Sequence, residues 1–227
     1  MRLITRTGRI GILGGTLDPI HNGHIETVLA AQRAMALSPV LLMPARTPPH
    51  REQRPAASPY HRFAMAALAA RELEDIAVSD EELGTEGHSY TALTLERLAG
   101  HGLDRTHLFF IAGADAFAEI ETWYRYPAVL DLAHFIVVSR PGIPATTMRE
   151  RLPDLRERFR DPSRTAPMPA QPAVFLVDAA TPDVSSTDIR GRLRAGRSIT
   201  GLVPAAVEVH ILRHHLYVEN VMADHVR

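Results

Sequence analysis

Two histidines three residues apart follow a glycine pair near the start of this 227-residue chain. The run Gly14-Gly15-Thr16-Leu17-Asp18-Pro19-Ile20-His21-Asn22-Gly23-His24 lies between residues 10–13, which predict a buried strand, and residues 25–37, which predict a helix. Glycines let the backbone approach a ligand closely, and a helix N-terminus carries partial positive charge. Because side chains three apart share a helix face, His21 and His24 can contact one ligand. The pattern predicts a site for the phosphates of a nucleotide triphosphate.

The two commonest nucleotide-binding motifs are absent from the chain. A P-loop needs a lysine after its second glycine, and all 25 Lys+Arg residues of this sequence are arginines. The glycines at positions 11, 14, 15 and 23 do not have G-x-G-x-x-G spacing. The run instead resembles the GGTFDPxHxGH signature of the nucleotidyltransferase superfamily, with Leu17 in place of phenylalanine. The structural alternative is a glycine turn followed by two helix-capping histidines.

A second candidate anion site lies late in the chain, at Val184-Ser185-Ser186-Thr187-Asp188-Ile189-Arg190. Ser185 and Asp188 have the spacing of a capping box, so the segment predicts a helix start that carries hydroxyls and free N–H groups. Arg190 follows one turn later and can form charge-assisted hydrogen bonds with phosphate. An ordinary helix cap with a surface arginine is the alternative. The segment resembles the ISSTxIR motif that closes the fold of the same superfamily.

The superfamily resemblance implies a role for each of these residues. It implies that the two histidines contact the ATP phosphates and that the late motif holds the β- and γ-phosphates as pyrophosphate leaves. Together with the turn after the fourth strand, the residues expected to bind ATP are Gly14, Gly15, Thr16, His21, His24, Gly113, Ser186, Thr187 and Arg190. Of these, His21, His24 and Arg190 are the expected catalytic residues.

Five more short motifs occur in chain order between the two anion sites. They are Pro48-Pro49-His50-Arg51, residues 89–95 (SYTALTL), Gly113-Ala114-Asp115, Thr122-Trp123-Tyr124 and Arg140-Pro141-Gly142. These resemble the PPH[KR], SYTxxTL, GxD, TWY and RPG motifs of bacterial nicotinate-mononucleotide adenylyltransferases. The resemblance runs from Ile10 to about Leu216 and covers nearly the whole chain.

The residue types in these motifs suit binding of a mononucleotide acceptor. Two prolines stiffen the loop that carries a cation at Arg51, and Asp115 is placed to accept hydrogen bonds from ribose hydroxyls. Trp123, the only tryptophan, can stack on a planar pyridine, although a core position is the alternative. The resemblance implies that backbone N–H groups near Ala92 and Tyr124 donate hydrogen bonds to the nicotinate carboxylate. The residues expected to bind the acceptor are Asp18, His50, Arg51, Tyr90, Thr91, Ala92, Asp115, Trp123, Tyr124 and Arg140.

Composition narrows the class of protein. A formal net charge of −1 gives no reason to expect a nucleic-acid partner, and the absence of cysteine excludes disulfides and thiolate chemistry. No apolar run approaches the ~20 residues that span a membrane, and the polar residues 1–9 do not resemble a signal peptide. We therefore expect a cytoplasmic protein. The sequence does not determine whether it is a monomer or a homo-oligomer.

Apolar runs that alternate with helical patterns predict a parallel sheet. The predicted strands are 9–13, 40–43, 76–78, 108–111, 135–138 and 174–177, and the predicted helices are 24–37, 59–73, 89–101, 114–120, 125–130, 148–159, 187–195 and 204–215. The expected fold is α/β, a Rossmann-like, doubly wound, mainly parallel sheet with helices on both faces. We expect a single nucleotidyltransferase domain over 1–227, a ligand loop at 45–57 and a surface excursion at 143–172.

The expected reaction is transfer of the adenylyl group of ATP to nicotinate mononucleotide. We expect Mg²⁺ to be held mainly by ATP phosphates and water, and we assign no residue as a metal ligand.

Three alternative functions remain open. One is an adenylyltransferase for nicotinamide mononucleotide or phosphopantetheine. Another is a class I aminoacyl-tRNA synthetase relative, which the absence of the lysines of a KMSKS motif opposes. The third is an ATP-binding sensor without turnover.

Overall fold

A sheet of seven parallel strands forms the centre of the computed structural model, which describes residues 8–49, 54–162 and 167–218. The strand order is β3-β2-β1-β4-β5-β7-β6. The chain thus starts in the middle of the sheet, winds to one edge and returns to build the other half. The strands are β1 (Ile10–Gly15), β2 (Val40–Pro44), β3 (Ile76–Val78), β4 (Leu108–Gly113), β5 (His134–Val138), β6 (Phe159–Arg160) and β7 (Val174–Val177).

Helices cover both faces of this sheet and bury two separate hydrophobic layers. One layer contains Val28, Met65 and Val207 from helices on one face, and the other contains Leu95 and Phe117 from helices on the opposite face. This confirms the predicted doubly wound, Rossmann-like α/β fold. The helices are α1 (Asn22–Met35), α2 (Pro59–Ala70), α3 (Thr91–Gly100), α4 (Ala114–Phe117), α5 (Met148–Arg151), α6 (Ser186–Arg194) and α7 (Ala205–Arg213). None of the helices within the described ranges is long and apolar enough to cross a membrane.

The chain between β5 and β7 differs from its predicted secondary structure. Residues 148–159, predicted as one helix, form α5, a 3₁₀ segment (Pro153–Arg158) and the start of β6. Pro153 explains the break, because proline lacks an N–H and clashes with the preceding turn. Ala145, Met148 and Phe159 are buried in the second hydrophobic layer. The first half of the expected excursion at 143–172 is therefore part of the core, and we infer one domain built on one sheet.

The topology opens a crevice at the carboxyl ends of two neighbouring central strands. From β1 the chain turns to α1 on one face, whereas from β4 it turns to α4 on the other face. Because the two connections lead to opposite faces of the sheet, a crevice opens between them. Ligands of open α/β sheets bind in this crevice. Both the first motif and the Gly113-Ala114-Asp115 motif lie at this switch point.

Candidate active site

A cleft of about 600 Å³ occupies the switch point. It brings together motifs that are up to 126 residues apart in sequence, since both Gly14 and Arg140 line it. The sequence-predicted residues that line it are Gly14, Gly15, Thr16, His24, Tyr90, Thr91, Gly113, Asp115, Trp123, Tyr124 and Arg140. Ala92 is buried next to this lining. His50 and Arg51 lie outside the described residues.

Two glycines keep the floor of the cleft open by lacking a side chain. A Cβ on Gly14 would lie 3.2 Å from the ring of Phe110. A Cβ on Gly113 would lie 2.5 Å from Asp115 Oδ1 and 3.1 Å from Arg140 Cδ. All three distances are shorter than ordinary van der Waals contact. Gly113 therefore leaves the space in which the side chains of Asp115 and Arg140 meet above the end of β4.

The two histidines occupy the first turn of α1. The backbone N–H of His21, the N-cap, donates to Nδ1 of His24 over 3.2 Å, and the rings stack with centroids 3.7 Å apart. Because Nδ1 of His24 accepts a hydrogen bond, the neutral ring carries its proton on Nε2. His24 lines the cleft, so this arrangement prepares an N–H donor for a ligand.

Burial keeps both histidines neutral at neutral pH. Burial, followed by the positive charge of Arg140, lowers the pKa of His21 to about 4. The pKa of His24 is held well below its usual value, mainly by burial and to a lesser extent by the charges of His21 and Arg140. Both rings therefore offer N–H groups, and the full positive charge beside them belongs to Arg140. Arg140 Nε lies 3.7 Å from Asp115 Oδ2, which keeps the guanidinium near the cleft.

The late motif contacts the backbone of the first one. Ser185 caps α6 by accepting a hydrogen bond from the Asp188 N–H at 3.1 Å. Ser186 Oγ donates to the Pro19 carbonyl at 3.0 Å, and Arg190 Nη1 donates to the Asp18 carbonyl at 2.7 Å. Thr187 accepts from Arg190 Nη2 at 3.2 Å. Ser186, Thr187 and Arg190 are not among the described residues that line the cleft, and in this structure the motif contacts the backbone of the histidine turn.

Asp18 differs in position from the expectation that it contacts the acceptor. Its side chain is 1% exposed and is not among the described residues that line the cleft. The carboxylate accepts hydrogen bonds from the N–H groups of Ala56 and Ala57 and from the Tyr217 hydroxyl. Because these donors occupy the carboxylate in a buried position, its geometry suits a role inside the protein.

Aromatic side chains form another part of the cleft lining. Tyr90 and Tyr124 stack with ring centroids 4.4 Å apart, and both line the cavity. Trp123 packs edge-on against Phe110 at 5.9 Å and contacts Phe135 at 6.4 Å. The indole thus joins the hydrophobic layer at one edge while it borders the cleft. Such a wall can accommodate a flat ring.

Three buried polar residues in and around this site have no sequence pattern that predicts them. Arg62 of α2 is fully buried and donates to four backbone carbonyls, and Tyr217 contacts Asp18. Glu82 lines the cleft and accepts a 2.6 Å hydrogen bond from Thr94 Oγ1, and burial raises the pKa of its carboxyl. Local patterns predict exposure for such residues, so only their tertiary neighbours reveal them.

Comparison with known proteins agrees with this arrangement. The family model described as cytidylyltransferase-like matches residues 12–192. A protein of Moorella thermoacetica named "Probable nicotinate-nucleotide adenylyltransferase" is 37% identical over 217 residues, which cover 96% of this chain and 95% of that protein. A protein of the same name from Roseiflexus sp. is 41% identical over 210 residues, which cover 92% of this chain and 97% of the relative.

Solved structures share the fold. The nicotinic acid mononucleotide adenylyltransferase of Plasmodium falciparum, complexed with NaAD, superimposes with a TM-score of 0.67 at 18% identity. The alignment covers 92% of this chain and 96% of that one. The same enzyme complexed with APC gives a TM-score of 0.69 at 16% identity, with 92% and 97% coverage. The chain therefore belongs to the cytidylyltransferase-like family and, within it, to the family of nicotinate-nucleotide adenylyltransferases.

Proposed function

We propose that this protein transfers the adenylyl group of ATP to nicotinate mononucleotide, forming nicotinate adenine dinucleotide and pyrophosphate in the biosynthesis of NAD. The observation that carries the proposal is the cleft itself, in which one end offers glycine backbone, a neutral histidine and an arginine, and the other end offers aromatic rings. The first end suits phosphates and the second suits a pyridine. We further propose that the protein is cytoplasmic and acts without a nucleic-acid or membrane partner.

The chemistry is a direct displacement at phosphorus. A phosphate oxygen of the mononucleotide attacks the α-phosphorus of ATP in line, a new P–O bond forms, and the bond to the leaving pyrophosphate breaks. Positioning and charge stabilisation account for catalysis of this kind. The Nε2–H of His24 donates to a phosphate oxygen, the guanidinium of Arg140 offsets negative charge, and the backbone of Gly14 and Gly15 allows close approach.

The start of α6 supports the leaving group in this proposal. Ser186 and Thr187 lie in its first turn and Arg190 one turn later, where N–H groups and the helix dipole favour an anion. The hydrogen bonds of Ser186 and Arg190 to the backbone at Pro19 and Asp18 hold this helix start against the histidine turn. A triphosphate would then contact two helix N-termini, those of α1 and α6.

The donor set fits Mg²⁺ only as an ion carried by the substrate. Within the described ranges no three His, Asp or Glu side chains lie close enough together to hold a metal ion. We propose that ATP phosphates and water hold the ion, as Mg²⁺ commonly binds with few protein ligands. When bound, it would neutralise charge on the phosphates. The protein's own contribution is the set of N–H and guanidinium donors described above.

The acceptor end accounts for a preference between two similar substrates. In the proposal, Trp123 stacks on the pyridine, and backbone N–H groups near Ala92 and Tyr124 donate to the nicotinate carboxylate. The amide of nicotinamide would present an NH₂ to one of these donors and leave buried N–H groups unpaired. Each unpaired buried group costs about 1–3 kcal/mol, so two of them give a preference of about 10²-fold.

The test is pyrophosphate release from ATP with a panel of acceptors. We expect turnover with nicotinate mononucleotide, with a kcat/KM about 10²-fold above that for nicotinamide mononucleotide, and none with phosphopantetheine. Equal efficiency with the two pyridine nucleotides would refute the carboxylate assignment while leaving adenylyl transfer intact. ATP binding without turnover on any acceptor would favour a nucleotide sensor.

A further inference from the structure

One buried carboxylate joins three separate segments of the chain. The N–H groups of Ala56 and Ala57 donate to Asp18 at 2.8 and 3.0 Å, and the Tyr217 hydroxyl donates to the same carboxylate at 2.9 Å. Asp18 lies in the histidine turn, the two alanines end the loop after β2, and Tyr217 follows α7. The contact between Asp18 and Tyr217 spans 199 residues of sequence. No local pattern produces such a junction.

The backbone on both sides of this contact is held in an unfavourable conformation. Leu17, directly before Asp18, has a φ of 50°, and Tyr217 has a φ of 66°. Non-glycine residues adopt such left-handed angles only where surrounding contacts determine the conformation. Tyr217 is also 8% exposed, and burial together with Asp18 raises the pKa of its hydroxyl, which therefore stays protonated and able to donate.

Arg62, a residue of α2, forms hydrogen bonds with segments on both sides of the same junction. Its Nη1 donates to the carbonyls of Thr16 at 2.7 Å and Ala45 at 2.6 Å, and its Nε donates to the carbonyl of Ala57 at 3.3 Å. These acceptors belong to the histidine turn and to the two ends of the loop after β2. A buried guanidinium that donates hydrogen bonds to several carbonyls fixes the relative positions of those carbonyls.

The first part of the loop is tied to the acceptor end of the cleft. The N–H groups of Arg46 and Thr47 donate to Ser89 Oγ at 3.1 and 3.4 Å, and the Ser89 N–H donates to the Thr47 carbonyl at 2.9 Å. Ser89 directly precedes Tyr90, which lines the cleft. The described start of the loop thus contacts a residue next to the cleft, and its described end, at Ala56 and Ala57, contacts the turn that carries His24.

We propose that Asp18 and Tyr217 are positioning residues that hold the end of the loop after β2, at Ala56 and Ala57, in register with the histidine turn, and so align the acceptor phosphate with the α-phosphorus of ATP. The inference rests on the proposed function for the identity of the two substrates. Small errors in the placement of reacting groups lower the rate of the chemical step more than they weaken binding. Loss of the Tyr217 hydroxyl should therefore lower kcat and leave substrate affinities nearly unchanged.

The first test measures the junction directly. Tyr217→Phe removes the hydroxyl and keeps the ring, and Tyr60→Phe is the matched control because Tyr60 is 78% exposed. We expect amide hydrogen exchange at Ala56 and Ala57 to rise about tenfold or more in Tyr217→Phe, and to stay at the wild-type rate in the control. Unchanged exchange at both alanines would overturn the proposal, and so would an equal rise in all strands, which indicates general destabilisation.

The second test separates alignment from binding. In Tyr217→Phe we expect kcat to fall about tenfold while the Kd values of ATP and acceptor change by less than about threefold. We also expect the loss in the double variant Asp18→Asn/Tyr217→Phe to be smaller than the product of the single losses, because both changes disrupt one contact. The proposal would be overturned by a normal kcat in Tyr217→Phe. It would also be overturned if the loss of kcat in the double variant equalled the product of the two single losses. The exchange measurement does not depend on the acceptor, so failure of the proposed reaction would leave it interpretable.

Discussion

At the scale of single residues, the histidine turn depends on which ring nitrogen carries the proton. The His21 N–H occupies Nδ1 of His24, and this leaves Nε2–H as the donor for phosphate. The neutral state of both rings follows from their burial. In the proposed reaction, the directed N–H group is that of His24, which lines the cleft, while Arg140 supplies the fixed charge.

Two substitutions of His24 distinguish the role of its Nδ1 acceptor from the role of its Nε2–H donor. Asparagine places an acceptor near the position of Nδ1 and keeps the cap, but it lacks the Nε2–H donor. We expect His24→Asn to lower turnover by roughly 10²-fold, the usual cost of one preorganised donor, with a melting temperature close to that of the wild type. Glutamine keeps a donor near Nε2, so His24→Gln should retain more activity. Equal loss in both variants would remove the Nε2–H from its proposed role.

Arg190 is expected to act through two donors at once. Its guanidinium reaches both the Asp18 carbonyl and Thr187 Oγ1, and a lysine ammonium cannot reproduce that fork. Arg190→Ala should lower turnover and weaken ATP binding by about 10- to 100-fold, the range for loss of a charged hydrogen bond. Arg190→Lys should recover only part of this. Isothermal titration with ATP and with the acceptor provides the check, since equal weakening of both ligands would instead indicate a displaced helix.

The sequence was sufficient for some site residues and insufficient for others. The position of His24 and Gly113 at the cleft could be predicted because they lie at strand-to-helix turns, where spacing alone places them at the sheet edge. His21, in the same turn, is buried and is not among the described residues that line the cleft. Arg62 and Tyr217 could not, since an arginine on an amphipathic helix and a tyrosine after the last helix have no local pattern that predicts burial. The burial of Asp18 could not be predicted for the same reason, because its partners are distant in sequence.

At the scale of secondary-structure elements, the end of β4 depends on a residue without a side chain. A methyl group on Gly113 would displace Asp115 or Arg140. We expect Gly113→Ala to raise the KM for substrates or lower kcat by about tenfold, because both affected side chains are long enough to move and the backbone is not strained. Gly100→Ala is the control, as a Cβ there meets open space. A Gly113→Ala enzyme with normal kinetics would show that Arg140 has no required position.

Prolines explain where predicted helices and observed ones disagree. The segment 125–130, predicted as a helix, forms only a 3₁₀ turn (Ala128–Asp131) after Pro127. The segment 148–159 breaks at Pro153 in the same way. The six longer strands could be predicted from their apolar runs, whereas β6, with two residues, is too short to give a pattern.

At the scale of the whole molecule, stability should fall in acid because the fold buries neutral histidines. His134 is fully buried, its Nδ1 accepts the Ala173 N–H at 3.0 Å, and burial lowers its pKa to about 4. His21 has a pKa lowered to about the same value. Between the unfolded value near 6.5 and the folded value, the unfolded chain binds more protons, so the free energy of unfolding rises with pH.

The size of this effect can be measured at His134. Full protonation should cost about 3 kcal/mol, an order-of-magnitude value from the difference between the two pKa values. Denaturant unfolding of the wild type should show a loss of stability as pH falls from about 6.5 to about 4. His134→Asn keeps an acceptor for the Ala173 N–H but does not titrate, so its curve should be flatter. Parallel curves for the two proteins would assign the acid sensitivity to other groups.

The strand order depends on contacts that no single segment contains. Alternating strands and helices predicted a parallel sheet, because right-handed crossovers leave few alternatives. They did not specify that β7 lies between β5 and β6, since this order follows from how residues 143–160 pack. Integration of that segment into the core is the main respect in which the molecule differs from its expected plan.

The single tryptophan on the wall of the cleft gives the protein a built-in optical reporter. Excitation of indole near 295 nm isolates one side chain, Trp123, and no other position contributes emission of that kind. A pyridinium ring that stacks on indole accepts an electron from its excited state, so acceptor binding should quench the signal, whereas ATP at the histidine turn should leave it nearly unchanged. The order in which the two substrates enter the cleft can thus be followed in real time, without a label, from the light that one residue emits.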